Sequence, residues 1–200
     1  MRKASVTRKS KETDITAKFA IDGSGKASVK TGMPFLDHML TLMAAHGLFD
    51  LTLQAKGDLE IDLHHTNEDI GLVLGQALDA ALGDKKGIRR VGLAYVPMDE
   101  ALARVVVDIS GRPKLVLRDS RSPRGKTGLT SSASYQWGDA EHFLESFARM
   151  GKITLHVDVL AGSDFHHTLE AVFKALGRAL DMATQRDARV QGVPSTKGRL

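Results

Sequence analysis

The chain contains no cysteine, which removes disulfides and thiolate metal sites from consideration. No apolar run approaches the roughly 20 residues of a membrane-spanning helix. The N-terminus, Met1-Arg2-Lys3-Ala4-Ser5, leads into an alternating stretch rather than an apolar signal core, so a cytoplasmic protein without a membrane partner is expected. Aromatic residues number only ten, and none is interleaved with basic residues as the stacking platforms of a nucleic-acid groove are. A large charge of one sign is also missing. The net charge is +4, from 28 basic and 24 acidic residues, an excess that suits nucleic acid and a small phosphorylated molecule equally.

What is present is a repeat. His64-His65-Thr66-Asn67-Glu68-Asp69 and His166-His167-Thr168-Leu169-Glu170-Ala171 hold four of the eight histidines. Residues 64–83 align with 166–185, and ten of these twenty pairs are identical, from His64 and His65 through Gly75 and Asp79 to Ala81. Upstream, His38 matches His142, Leu40 Leu144, Ala44 Ala148, Gly47 Gly151 and Leu51 Leu155. Two copies are too few for a solenoid. The expectation is one compact pseudo-twofold domain of two half-domain repeats, 1–92 and 93–200, with a C-terminal tail at 186–200.

Apolar residues from Ile70 to Leu82 and from Leu169 to Ala183 recur at i, i+3, i+4 and i+7, which predicts a long amphipathic helix opening on each His-His box. Shorter helices are predicted at 34–46 and 139–150. Strands are predicted at 4–8, 15–21, 26–30, 49–55, 103–109, 114–118 and 153–160. The Ser-, Arg- and Gly-rich segment 119–138 reads as a long exposed loop. An α+β fold follows, with helices packed against one side of each sheet.

Imidazole and carboxylate are the usual ligands for a borderline transition metal where thiolate is absent. On a helix, i and i+4 share a face while i and i+1 diverge by about 100°. His64 with Glu68, and His166 with Glu170, therefore suit shared ions, whereas His65 and His167 point elsewhere. Symmetry suggests two sites: His38, His65, His166 and Glu170 in one, and His142, His167, His64 and Glu68 in the other. Four protein ligands leave two octahedral positions for substrate or water. Taken alone, each box reads more readily as surface polarity, with Thr66 or Asn67 as caps; the matched pair and its upstream histidines favour metals. His46 and His156 lack repeat partners and read as structural or hydrogen-bonding residues, His46 being also a candidate for substrate contact. Lys174 reads as an i, i+4 partner of Glu170. Arg90, Arg112, Glu12 and the tail residues Ser195 and Lys197 are individually unremarkable surface groups.

Phe35-Leu36-Asp37-His38-Met39-Leu40, His46-Gly47-Leu48-Phe49-Asp50, Asp62-Leu63-His64-His65-Thr66-Asn67-Glu68-Asp69, Val96-Pro97-Met98-Asp99-Glu100-Ala101-Leu102 and His166-His167-Thr168-Leu169-Glu170-Ala171 together resemble imidazoleglycerol-phosphate dehydratases of histidine biosynthesis. The likeness spans nearly the whole chain. It implies a manganese lyase, with two Mn2+ per active site, that eliminates water from imidazoleglycerol phosphate to give imidazole acetol phosphate. It also implies a duplicated α+β fold of the ribosomal protein S5 domain 2-like type, with two four-stranded sheets flanking a layer of four helices. Subunits would form a homo-oligomeric 24-mer built from trimers, with active sites between chains. By the same resemblance the metal ligands are His38, His64, His65, Glu68, His142, His166, His167 and Glu170. The substrate contacts are Glu12, Arg90, Arg112, Lys174, Ser195 and Lys197, the last five about the phosphate, where guanidinium and ammonium donors suit a dianion. Glu12 takes the acid/base role, with a metal-bound water as its rival. A cation at each ring nitrogen would favour an imidazolate, which stabilises charge changes at the adjacent carbon.

Three departures stand out. Thr41-Leu42 replaces the family's usual Asp-Gln, and Thr196 replaces a common serine. The segment 119–141 is longer than the family pattern and enters His142 through Gly138-Asp139-Ala140-Glu141. Two other functions fit parts of the pattern. A dinuclear phosphate-ester hydrolase would generally use bridging carboxylates, which an imidazole-rich set does not supply. A non-catalytic metal-stabilised assembly protein would need neither Glu12 nor the phosphate set.

Overall fold

The computed structural model describes residues 1–119 and 135–200. Eight strands and four helices are seen among them: β1 (Lys3–Lys9), β2 (Thr13–Ala20), β3 (Ala27–Lys30), α1 (Pro34–Gly47), β4 (Asp50–Gly57), α2 (His64–Leu82), β5 (Val91–Met98), β6 (Ala101–Asp108), β7 (Lys114–Asp119), α3 (Trp137–Gly151), β8 (Thr154–Ala161) and α4 (Phe165–Thr184). They form two mixed four-stranded sheets of the same order, β1-β2-β4-β3 and β5-β6-β8-β7. In each, the first three strands pair antiparallel and the last pairs parallel, β3 with β4 and β7 with β8. Such a parallel pair needs a crossover, which α1 and α3 supply.

Strand alternation decides what faces inward. Thr13, Ile15, Ala17 and Phe19 of β2 are buried, with Leu51 and Leu53 of β4 beside them, while Asp14, Lys18 and Thr52 face solvent. Helices α1 and α2 pack on this first sheet, α3 and α4 on the second. The helices then pair across the halves, α1 with α4 and α2 with α3. The result is the α+β arrangement of two sheets around a helical layer.

Glycine sets how closely those helices approach. A Cβ on Gly177 of α4 would run into the carbonyl oxygen of Met43 in α1, and one on Gly75 of α2 into that of Phe147 in α3. Gly75 and Gly177 are matched positions of the repeat, as are Gly47 and Gly151, so each crossing joins a glycine of one half to a glycine of the other. Both short helices also end alike. Leu48 and Lys152 adopt left-handed backbone (φ 56° and 52°) and donate their N–H groups to carbonyls at Ala44 and Ala45, and at Ala148 and Arg149, the common αL stop.

Three expectations need correction. Strand β5 was not foreseen. It lacks polar alternation, because Val91, Leu93 and Tyr95 are exposed at 49, 48 and 53 % while Gly92, Ala94 and Val96 turn inward. Its Pro97 is tolerated because β5 is an edge strand. Within the expected loop 119–138, Asp119 ends β7 and Trp137 and Gly138 begin α3; positions 120–134 lie outside the described residues. Tyr135 is buried rather than exposed and donates its hydroxyl to Asn67 Oδ1 at 3.0 Å. Finally, Thr66 and Asn67 do not cap α2. Asn67 is buried and its amide donates to the Asp139 carbonyl at 2.7 Å, which fastens the first turn of α2 to that of α3.

Candidate metal centre

The pairing of α1 with α4 brings His38 to the first turn of α4. His38 Nε2 stands 2.8 Å from Glu170 Oε1, and His166 Nε2 stands 3.0 Å from the same oxygen. One donor atom from each of the three lies within 4.8 Å of the others, and among the described residues this is the only such cluster. Metal–donor bonds of about 2.1 Å place donors at right angles about 3 Å apart, so the three atoms suit corners of one coordination sphere. The donor chemistry fits a borderline divalent ion.

Lys174, one turn further along α4, donates to Glu170 Oε2 at 2.6 Å and to the Met98 sulfur at 3.2 Å. Burial pushes the Glu170 carboxyl up, but hydrogen bonds from Lys174, His38 and His166 hold it down at about 2. Lys174 thus serves Glu170 and is not seen gathered with the arginines. His46, near the end of α1, has its pKa lowered by burial and by the charges of Arg178 and Lys174. It faces the basic side of the same α1–α4 seam. His156, the other unmatched histidine, lies on β8 opposite Val106.

The α2–α3 crossing gathers a second, looser group. The His64 and His142 rings meet edge to face with centroids 4.8 Å apart, and His64 Nε2 is 3.8 Å from Glu68 Oε2. Glu68 is drawn aside by Arg149, whose Nη2 donates to Oε1 at 2.8 Å. Nothing in the sequence marked Arg149.

The second histidine of each box joins neither group. His65 Nδ1 lies 3.0 Å from Asp58 Oδ2, and His167 Nδ1 lies 2.8 Å from Glu100 Oε2. Each bond raises the histidine pKa; the Glu12 charge adds to the effect on His65. Asp58 is correspondingly held low by His65. Glu100 falls to about 2, first through the Asp164 backbone N–H and then through His167 and Ser163. The helix start behind His167 is also capped, with Asp164 Oδ1 accepting from the His167 N–H at 2.9 Å.

The remaining candidates lie in two places. Glu12 is exposed in the β1–β2 turn, where its N–H donates to Ser10 Oγ. A shallow cavity there is lined by Lys9, Lys11, Glu12, Asp58 and Glu60. Arg90 grips Asp108 through two bonds of 2.7 and 3.0 Å and donates to the Pro194 carbonyl at 2.9 Å. The tail therefore runs beside Arg90. Its Ser195 hydroxyl accepts from the Lys197 N–H at 3.2 Å. Arg112 is 4.0 Å from Asp108 with a side chain 69 % exposed, leaving its guanidinium available to an anion. Lys85 is buried against Asp79 at 2.7 Å.

Residues 31–180 match the family model for imidazoleglycerol-phosphate dehydratase. The chain belongs to this family. It is 56 % identical over 200 residues to the Bacillus subtilis (strain 168) imidazoleglycerol-phosphate dehydratase, covering all of both chains. It is also 56 % identical over 199 residues to that of Acetivibrio thermocellus, covering 100 % of this chain and 99 % of the relative. The crystal structure of IGPD from Pyrococcus furiosus in complex with (S)-C348 aligns with a TM-score of 0.81 at 36 % identity, covering 98 % of this chain and 100 % of that one. The Staphylococcus aureus imidazoleglycerol-phosphate dehydratase aligns at 0.79 and 36 % identity, covering 92 and 99 %.

Proposed function

We propose that this chain, a hydro-lyase of histidine biosynthesis, eliminates water from imidazoleglycerol phosphate to give imidazole acetol phosphate using two divalent manganese ions. The convergence of His38 and His166 on one oxygen of Glu170 is the observation that carries the metal assignment. Those three residues would hold one ion, with His64, Glu68 and His142 holding the other. Bound there, the ions would supply positive charge that favours the imidazolate form of the substrate ring.

Elimination removes a carbon-bound proton and a neighbouring hydroxyl, and the enol so formed tautomerises to the ketone. Glu12 is the proposed acid/base. Its carboxylate makes no ion pair or hydrogen bond among the described residues, so no protein group competes with substrate for it. Arg90, Arg112, Ser195 and Lys197 cluster about Asp108 and the tail, a set suited to a phosphate dianion. Lys174 reaches substrate only in company with Glu170.

His65 and His167 direct their rings away from both groups, each of which then has three ligands from its own chain. A fourth ligand contributed by a second copy completes each set, which supports the homo-oligomer, a 24-mer built from trimers with sites between chains. The exposed Val91, Leu93 and Tyr95 of β5 give such an assembly an apolar surface to bury. We read 1–92 and 93–200 as the duplicated halves. Cytoplasmic residence suits a biosynthetic enzyme, and among the described residues no helix is long and apolar enough to cross a membrane.

The test is Glu12→Gln. It is expected to keep the parent's manganese content and to lower turnover by roughly 100-fold or more, the usual scale for a lost general acid/base. Unchanged turnover removes Glu12 from the chemistry.

A further inference from the structure

Asp58 and Glu100 are not candidate ligands, yet each spends one carboxylate oxygen on the ring of a second box histidine, His65 at 3.0 Å and His167 at 2.8 Å. An ionised carboxylate only accepts hydrogen bonds. Nδ1 of each ring must therefore carry a proton, and in the neutral ring Nε2 is then the nitrogen with a lone pair to offer. The carboxylate also fixes the ring plane, so the direction of that lone pair is set.

The two contacts are not copies of one ancestral contact. Asp58 directly follows Gly57 at the end of β4, and a Cβ on Gly57 would strike the box residue Thr66. The glycine in the same relation to Thr168 is Gly162 after β8, and Ser163, not an acid, follows it. The second half takes its carboxylate from Glu100 in the β5–β6 turn. Two unrelated chain positions thus reach the same atom of matched histidines, an arrangement that duplication alone does not supply.

The two anchors differ in strength. Glu100 Oε1 also accepts the N–H groups of Ser163 and Asp164 at 3.0 and 2.9 Å, which ties it to the residues that start α4. Asp58 Oδ1 is buried without a partner among the described residues. His65 is accordingly held by a carboxylate whose second oxygen has no partner among the described residues, and His167 by one whose second oxygen accepts two N–H groups.

We propose that Asp58 and Glu100 are positioning residues that lock His65 and His167 in the Nδ1–H tautomer, with Nε2 presented to a divalent cation. The inference rests on the metal reading above. Carboxylates behind metal-binding histidines do this generally, and losing one costs about 10- to 100-fold in metal affinity.

The experiment uses full-length protein and the variants Asp58→Ala, Asp58→Asn, Glu100→Ala and Glu100→Gln. Nitrogen NMR of histidine-labelled, metal-free protein reads the tautomer, and manganese titration reads affinity. The parent is expected to show Nδ1–H at His65 and His167. Each alanine variant should lose that tautomer at its own histidine alone and bind manganese about 10- to 100-fold more weakly at one site. The amide variants keep an acceptor oxygen, and should keep the tautomer and recover most of the affinity. Glu100→Gln also guards against misfolding of the α4 start in Glu100→Ala. Alanine variants with the parent's tautomers and affinities, or amide variants as impaired as alanine, overturn the proposal. A parent that takes up no manganese overturns the metal reading instead, and the tautomer spectra then report on the carboxylates separately.

Discussion

Nε2 of His38 lies 2.8 Å from Oε1 of Glu170 across 132 positions of chain, and His166 shares that oxygen from one helical turn away. Two imidazoles converging on one carboxylate oxygen form the group proposed to hold a cation. Glu170→Gln keeps the side-chain shape and removes the charge. It is expected to abolish one of two manganese-binding events, or weaken it by more than the 10- to 100-fold typical of outer-shell changes. Titration of metal-free protein reads this directly, and an unaltered isotherm contradicts it.

The helix crossings set the spacing of both groups. Gly177→Ala pushes a methyl group against the Met43 carbonyl, and overpacking of this kind costs about 1–3 kcal/mol. For a chain of this size each kcal/mol lowers the melting temperature by about 2–4 °C. The variant should melt several degrees below the parent and lose turnover as His38 is displaced from His166. Parent-like melting would mean that α1 and α4 separate without cost.

Arg149 holds Glu68 at 2.8 Å beside His64. Its positive charge competes with any cation that Glu68 is to bind. Arg149→Met should tighten manganese binding at the proposed site of His64, Glu68 and His142 severalfold and leave that of His38, His166 and Glu170 unchanged. Weaker binding at the first of these would instead make Arg149 the group that aims Glu68.

Arg2 pairs with Asp22 at 2.6 Å and also donates to the Thr184 carbonyl at the end of α4. The Arg2 hydrogen bond draws the Asp22 carboxyl down to about 2 from 3.8. A folded-state pKa below the unfolded one gives stability that is present above about pH 4 and is lost as pH falls toward 2. The parent's melting temperature should therefore fall more steeply over that window than that of Arg2→Gln. Parallel curves would show that the pair adds nothing to stability.

How legible these features were depended on periodicity. The two long helices followed from 3.6-residue spacing, and the pairing of His166 with Glu170 from i, i+4 geometry. The repeat's symmetry put His38 with the second box and His142 with the first, and the α1–α4 and α2–α3 crossings are what bring each there; that His65 and His167 turn to Asp58 and Glu100 instead had no mark in the sequence. Strand β5 escaped because apolar side chains occupy both its faces, so no alternation marks it. Asp58 and Arg149 carry no pattern at all, and Glu100 stood in a motif of the family resemblance with no role assigned to it. Each is a single charged residue whose partner is brought near by tertiary structure. Asn67 sat inside a recognised motif, yet its bonds to Tyr135 and Asp139 belong to the α2–α3 seam and to no local rule.

The phosphate set yields a kinetic prediction. The Arg112 side chain is largely exposed and only 4.0 Å from its nearest acid, so Arg112→Ala should leave the fold intact. Loss of a charged hydrogen bond to phosphate, worth about 1.5–3 kcal/mol, is expected to raise KM by roughly 10- to 100-fold with a smaller change in kcat. A purely structural role would lower the melting temperature and leave KM alone.

The most direct test counts tightly bound manganese per chain while following dehydration of imidazoleglycerol phosphate. Metal-free protein should be inactive, and turnover should return in full at two ions per chain. Full turnover without metal, or saturation below two ions per chain, contradicts the account.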